Sequence, residues 1–234
     1  MSKENIITNS ESLLLSQDNT FFTIQGEGTS IGKPVVFLRL NACNLHCGFC
    51  DTAYTWNGKE KSESTKIDDL TNTLNNYPCK RLVITGGEPL LQNNNLDKLI
   101  NKLPDWKFEI ETNGTILPTR LMIEKGVQIN CSPKLENSGN EKELRYKPEV
   151  LKFINQLSNS NFKFVVTCPD DILEIEQIVK ECNIDNDKII LMPEGIDQDA
   201  IREHALQVID FCKEKGWRLI PRLQVMLYGN TRKV

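Results

Sequence analysis

Apolar residues recur along this chain with two alternating periods. Short runs rich in β-branched and aromatic residues read as strands: V-V-F-L-R-L (35–40), R-L-V-I-T (81–85), K-F-E-I-E-T (107–112), V-Q-I-N-C (127–131), F-K-F-V-V-T (162–167), K-I-I-L-M (188–192) and R-L-I-P-R-L (218–223). Between several of them the apolar spacing lengthens to three and four residues. Ile172, Ile175, Ile178 and Val179 repeat in this way, as do Ile201, Ala205, Val208, Ile209 and Cys212, so each set shares one helical face. The second set runs into Lys213, Lys215 and Gly216, a helix stop with cations near the negative end of the macrodipole. Residues 94–103 predict a third, shorter helix with Leu96, Ile100 and Leu103 on one face. Strand–helix alternation predicts a parallel α/β sheet with right-handed crossovers. The pattern alone leaves the open doubly wound sheet and the βα barrel in competition.

Polar and glycine-rich residues gather just beyond the strand ends. Thr85-Gly86-Gly87-Glu88-Pro89, Glu111-Thr112-Asn113-Gly114, Ser132-Pro133-Lys134 and Pro193-Glu194-Gly195 each follow a strand candidate. Any one of these is ordinarily a turn. Several on the carboxyl side of parallel strands favour one shared pocket, the arrangement of βα barrels. With 234 residues, the chain is expected to form one domain over 19–234, preceded by a polar extension, 1–18, with a short apolar patch at Leu13-Leu14-Leu15.

Composition narrows the partners. Charged residues make up 26% and the net charge is −4, so no basic stripe is available to neutralise nucleic-acid phosphates. The first ten residues lack the basic and apolar regions of a signal peptide. No apolar run approaches the ~20 residues that span a bilayer. The expectation is a cytoplasmic protein with neither nucleic acid nor membrane as partner. Nothing indicates secretion, so the eight cysteines read as reduced thiols or metal ligands. Cys131, Cys168 and Cys212 sit in apolar or helix-patterned settings, where cysteine behaves as a small hydrophobe.

The exception is N-A-C-N-L-H-C-G-F-C-D-T (41–52), which places Cys43, Cys47 and Cys50 within eight positions. Structural zinc normally takes four ligands, usually as paired C-x-x-C units. Here there is no second pair, His46 abuts Cys47, and His204 lies far away on a charged helix. The alternative is an iron–sulfur cluster held by three thiolates, one iron remaining open to a substrate or cofactor. The C-x-x-x-C-x-x-C spacing, with aromatic Phe49 before the last cysteine, closely resembles the radical S-adenosylmethionine superfamily. The intact Gly86-Gly87-Glu88-Pro89 motif strengthens that resemblance. In the superfamily the open iron binds the amino and carboxylate groups of S-adenosylmethionine, and the G-G-E-P turn contacts the amino group. A carboxylate such as Glu88 suits an ammonium partner. The resemblance implies a partial, incomplete TIM-like βα barrel.

More particular is F-F-T-I-Q-G-E-G-T-S-I-G-K-P-V-V-F-L-R-L (21–40). A plain turn explains Gly26 and Gly28 but gives Gln25 and Glu27 no task. Together with C-D-T-A-Y-T-W, I-T-G-G-E-P-L-L-Q, I-E-T-N-G-T and C-S-P-K, it resembles the 7-carboxy-7-deazaguanine synthase family from about residue 20 onward. The resemblance implies conversion of 6-carboxy-5,6,7,8-tetrahydropterin to 7-carboxy-7-deazaguanine with loss of ammonia, on the route to queuosine and other 7-deazapurines. It implies that Ile24, Gln25, Gly26, Glu27, Arg39 and Thr85 bind substrate, Arg39 gripping its carboxylate through a planar guanidinium. It assigns Phe49, Cys50, Asp51, Gly87, Glu88, Ser132, Pro133, Lys134, Met192, Pro193, Glu194 and Gly195 to S-adenosylmethionine. Thr52 would ligate Mg²⁺, which prefers hard oxygen donors; by itself this threonine reads as a turn cap. The resemblance also implies a flavodoxin- or ferredoxin-like reducing partner and a homodimer. At the C-terminus Met226 stands where family members often carry histidine, and no residue of that tail is assigned. Two other readings stay open. A glycyl-radical activase shares the cluster spacing and G-G-E-P but does not need Gln25, Glu27 and Arg39, and a non-catalytic iron or zinc protein needs no substrate site.

Overall fold

A computed structural model describes residues 11–229 and 231–233, less the side chain of Asp18. Its strands are β1 (Ser12–Ile24), β2 (Pro34–Leu40), β3 (Glu63–Lys66), β4 (Arg81–Gly86), β5 (Lys107–Thr112), β6 (Gln128–Cys131), β7 (Ser160–Val166), β8 (Ile189–Pro193) and β9 (Arg218–Leu219). They form one sheet ordered β3-β1-β2-β4-β5-β6-β7-β8-β9. From β2 through β9 every neighbouring pair is parallel, while β1 runs antiparallel to β2 and β3. The parallel strands follow one another in chain order without the reversal that defines a doubly wound sheet. Repeated right-handed crossovers in one direction put the helices on one face, which gives the incomplete βα barrel.

Alternation along the strands separates two environments. Leu38, Leu40, Leu82, Ile84, Ile110, Phe162, Phe164 and Leu191 are fully buried in the main apolar core. That core also takes Leu96, Leu99 and Ile100 from helix Asn93–Lys102, Ile172 and Ile175 from Asp171–Cys182, and Val208 from Gln198–Lys215. Truncating one of these leucines to alanine would cost about 2–5 kcal/mol. Their strand neighbours on the opposite face include Arg39, Thr85, Glu109, Glu111, Asn130, Asn161 and Lys163, and the register sets Arg39 beside Thr85 and Glu111 beside Asn130. A polar inner face at the centre of a parallel sheet is the fold's main departure from a dry core.

The three helices expected from spacing form, the longest ending at Gly216 with φ of 72°. Two expectations are corrected. The polar extension ends earlier than residue 18: Ser12–Leu15 pair with Glu63–Lys66, and Leu13 and Leu15 are fully buried. A register irregularity between Leu15 and Thr20 breaks the period-2 pattern there, so this strand reads as a loop. Residues 1–10 of the extension lie outside the described residues. At the other end only Arg218–Leu219 of the 218–223 strand candidate pairs with β8, and Leu223–Tyr228 is helical. Among the described residues no helix is long and apolar enough to cross a membrane.

Candidate active site

The carboxyl ends of the parallel strands surround a cavity of about 330 Å³. The loop after β2, the turns after β4, β5, β6 and β8, the turn between β1 and β2, and the C-terminal segment all contribute to its wall. The shared pocket expected from the strand-end turns is therefore a single space.

All three cysteines of the 41–52 loop line it, each partly exposed and free. An N–H group points at each sulfur: Leu45 N at 3.4 Å from Cys43 Sγ, Asn140 Nδ2 at 3.3 Å from Cys47 Sγ, and Trp56 Nε1 at 3.4 Å from Cys50 Sγ. Donors of this kind stabilise thiolates bound to iron. Burial pushes the Cys43 thiol up to about 11 and raises that of Cys47, so ligation must displace protons. His46 takes no part, because its ring stacks on Trp56 with centroids 4.6 Å apart. Among the described residues no three His, Cys, Asp or Glu side chains converge as one metal ion requires. Three thiols on separate irons have no such requirement, and the donor set fits a cluster better than zinc. Thr52 lines the cavity beside Cys50, its Oγ1 3.7 Å from Cys50 Sγ. Its hydroxyl does not cap the following turn Ala53–Thr55.

Behind the cluster loop stands the turn after β4. A Cβ on Gly87 would lie 1.9 Å from Ala42 O, and one on Gly86, whose φ is 133°, 2.1 Å from Leu40 O. Only glycine permits this approach, and it lets Gly87 N and Glu88 N donate to Leu40 O and Ala42 O at 3.2 and 2.9 Å. The glycines thus seat this turn against the cluster loop itself. Glu88 departs from expectation: it is fully buried and absent from the cavity wall. Its carboxylate accepts from Leu90 N at 2.9 Å, Thr112 Oγ1 at 2.9 Å and Asn113 N at 2.7 Å. With its oxygens engaged, it joins the turns after β4 and β5. Burial raises its pKa against those hydrogen bonds.

The remaining expected residues divide cleanly. Phe49, Asp51, Gly87, Ser132, Lys134, Met192 and Glu194 line the cavity, whereas Pro133, Pro193 and Gly195 are buried behind it. Ile24, Gln25, Gly26, Glu27, Arg39 and Thr85 all line it. Arg39 lies 6.0 Å from the Phe21 ring centroid, and its buried Nε has no hydrogen-bond partner among the described residues. A buried N–H without a partner carries a desolvation cost, so Arg39 is held in the wall at some expense.

Glu27 is held more tightly than its sequence suggests. Lys163 Nζ lies 2.5 Å from Glu27 Oε2 and 2.9 Å from Glu111 Oε2, while Gln224 Nε2 donates to Glu27 Oε1 at 2.7 Å. Arg222 reaches Glu27 Oε1 through Nε at 3.3 Å, Gly195 O through Nη1 at 2.9 Å, and Asp51 through Nη2. Burial opposes charge on Glu27, but Lys163 and Arg222 outweigh it and hold the carboxyl far below its usual range. Burial likewise opposes the Lys163 cation, and Glu111 with Glu27 raises its pKa regardless. Beneath them Asn130 Nδ2 donates to Glu111 Oε1 at 2.7 Å, and Asn161 Nδ2 to Asn130 Oδ1 at 2.6 Å.

Sequence reasoning missed Lys163, Glu111, Arg222 and Gln224 as site residues. Lys163 carried a signal, a charge inside the otherwise apolar run F-K-F-V-V-T, and Glu111 stood in a strand-end turn expected at the pocket but was given no role. Arg222 was hidden in a segment read as strand, and Gln224 lies in the tail to which no role was assigned. Met226, where the family often has histidine, is exposed and outside the cavity wall.

Comparison with known proteins follows these lines. The chain matches the Radical SAM superfamily over residues 38–205. It is 33% identical over 214 residues to a 7-carboxy-7-deazaguanine synthase of Pyrobaculum aerophilum, covering 91% of this chain and 94% of that one. It is 32% identical over 238 residues to one from Rhodopirellula baltica, covering 94% and 88%. Among solved structures, QueE from Escherichia coli superposes with a TM-score of 0.71 at 27% identity, covering 95% of this chain and all of that one.

Proposed function

Because the chain belongs to the 7-carboxy-7-deazaguanine synthase family of the radical SAM superfamily, we propose that this cavity is where it turns 6-carboxy-5,6,7,8-tetrahydropterin into 7-carboxy-7-deazaguanine and ammonia. The observation that carries the reading is that Arg39 lines the same cavity as three N–H-supported thiols. A glycyl-radical activase would have no use for Arg39 beside the Gln25–Glu27 turn, and a non-catalytic metal protein would have none for the cavity.

Cys43, Cys47 and Cys50 would hold the 4Fe–4S cluster. When bound, cluster and S-adenosylmethionine would supply one-electron, radical-initiating chemistry. The protein binds, orients and encloses. Phe49, Asp51, Gly87, Ser132, Lys134, Met192 and Glu194 form the cofactor side. Arg39 takes the substrate carboxylate with two parallel N–H groups. Gln25 and Glu27 read the donor and acceptor edge of the pterin, and Lys163 and Arg222 fix Glu27 as a charged acceptor. Thr85 closes the wall beside Arg39. For Mg²⁺, Thr52 lines the cavity without a capping role and would supply its hydroxyl; the ion would add substrate and water oxygens. Exposed Phe22, Ile24 and Tyr228 around one shallow depression support a homodimer. By analogy with the family we propose a flavodoxin- or ferredoxin-like reductant, and the sequence composition supports a cytoplasmic location.

Equilibrium titration of the cluster-loaded protein with the carboxytetrahydropterin tests the substrate assignment. Saturable binding by the parent, weakened at least tenfold in Arg39→Ala, is expected. Equal affinity in both proteins would contradict it.

A further inference from the structure

The segment after β6 reaches the cluster loop through the side chain of Asn140. Asn140 Oδ1 accepts from His46 N at 2.8 Å, and Asn140 Nδ2 lies 3.3 Å from Cys47 Sγ. Because a backbone N–H can only donate, the carboxamide must present its oxygen to His46 and its NH₂ to the sulfur. The backbone of Asn140 is fixed in turn: Arg145 Nε donates to its carbonyl at 3.1 Å, and Arg145 is itself only 5% exposed and paired with Glu174 at 2.6 Å. Gly48 N donates to Ser138 O at 3.0 Å, closing the same junction. On the other flank the indole of Trp56 offers Nε1–H to Cys50 Sγ at 3.4 Å and is clamped by the His46 ring.

We propose that Asn140 and Trp56 are positioning residues that set the reduction potential of the cluster through N–H donors to Cys47 and Cys50. This rests on the cluster reading above. An N–H dipole aimed at a ligating sulfur stabilises the reduced cluster more than the oxidised one, because reduction adds negative charge spread onto the sulfurs. Both donors therefore raise the potential and ease entry of the single electron that a low-potential reductant delivers. His46, though no ligand, acquires a role: its backbone orients the Asn140 amide and its ring holds the Trp56 indole.

The test is a mediated potentiometric titration of reconstituted protein, followed by the electron paramagnetic resonance of the reduced cluster, in the parent, Trp56→Phe and Asn140→Asp. Trp56→Phe keeps the ring against His46 and deletes only the donor; Asn140→Asp also adds charge. Each is expected to bind the same iron and sulfide per chain as the parent. Each is expected to shift the midpoint to more negative values, by about a tenfold change in the reduced-to-oxidised ratio, about 59 mV for one electron, and more for Asn140→Asp. Full iron content with an unchanged midpoint in both variants overturns the inference. Failure of the parent itself to take up iron and sulfide would instead overturn the cluster reading.

Discussion

Lys163 Nζ and Glu27 Oε2 meet at 2.5 Å although 136 residues separate them, so β7 and the turn between β1 and β2 are joined inside the barrel by a nearly dry ion pair. Lys163→Met removes the cation that Glu27 and Glu111 share and leaves Glu27 with Arg222 alone. Breaking a buried pair from one side costs about 3–5 kcal/mol, and Glu27→Gln/Lys163→Met is expected to recover part of it. Chemical denaturation of the three proteins checks this.

The same pair fixes a pH dependence. Glu27 has its folded pKa lowered from the usual 4.5, so its contribution is complete above that value and is lost as acid is added below it. Lys163 has its pKa raised from the usual 10.5, so its contribution is complete below that value and is lost in stronger alkali. The melting temperature is expected to stay level through neutral pH and to fall below about pH 4.5. Lys163→Met, melting lower at neutral pH, should show a shallower acid limb.

The cluster loop separates ligand from neighbour. Replacing Cys43, Cys47 or Cys50 with Ala should abolish the visible absorbance of the reconstituted cluster. Cys212→Ala, on the buried face of helix Gln198–Lys215, should retain it with a stability loss of about 1 kcal/mol. His46→Ala should keep its full iron content. Loss of metal in that variant would revive the zinc reading.

Gly87→Ala would drive a Cβ to 1.9 Å from Ala42 O, just ahead of Cys43. Forcing the chains apart should cost about 1–3 kcal/mol and lower iron uptake, measured as iron per chain after anaerobic reconstitution.

Thr52→Val removes the hydroxyl of this cavity-lining residue while keeping its shape. Turnover by the parent is expected to rise with added Mg²⁺ and fall with EDTA. In Thr52→Val the response to Mg²⁺ should be lost while the cluster absorbance stays, which separates a magnesium ligand from a loop-stabilising residue.

Much of this architecture could be read in advance because it depends on local periodicity and short spacing. The strands flanking the turns at 85–89, 111–114 and 132–134 appear nearly where their apolar runs place them. Cys43, Cys47 and Cys50 lie in one loop, so spacing alone brings them together. What resisted reading was non-local. Lys163 acquires meaning only when β7 curls round to face Glu27. Arg222 and Gln224 matter because the C-terminal segment crosses back over Gly26, whose missing Cβ leaves room for Gln224. Leu13 and Leu15 belong to the core only because Glu63–Lys66 returns to pair with them. Glu88 was legible as a residue but not in its orientation, since two of its three hydrogen-bond donors, Thr112 Oγ1 and Asn113 N, come from the end of β5.

The most direct measurement is anaerobic turnover by the fully cluster-loaded protein with 6-carboxy-5,6,7,8-tetrahydropterin, S-adenosylmethionine, Mg²⁺ and a low-potential reductant. The account predicts 7-carboxy-7-deazaguanine and ammonia in equal amounts. Absence of both products from a protein carrying its full iron and sulfide would contradict it.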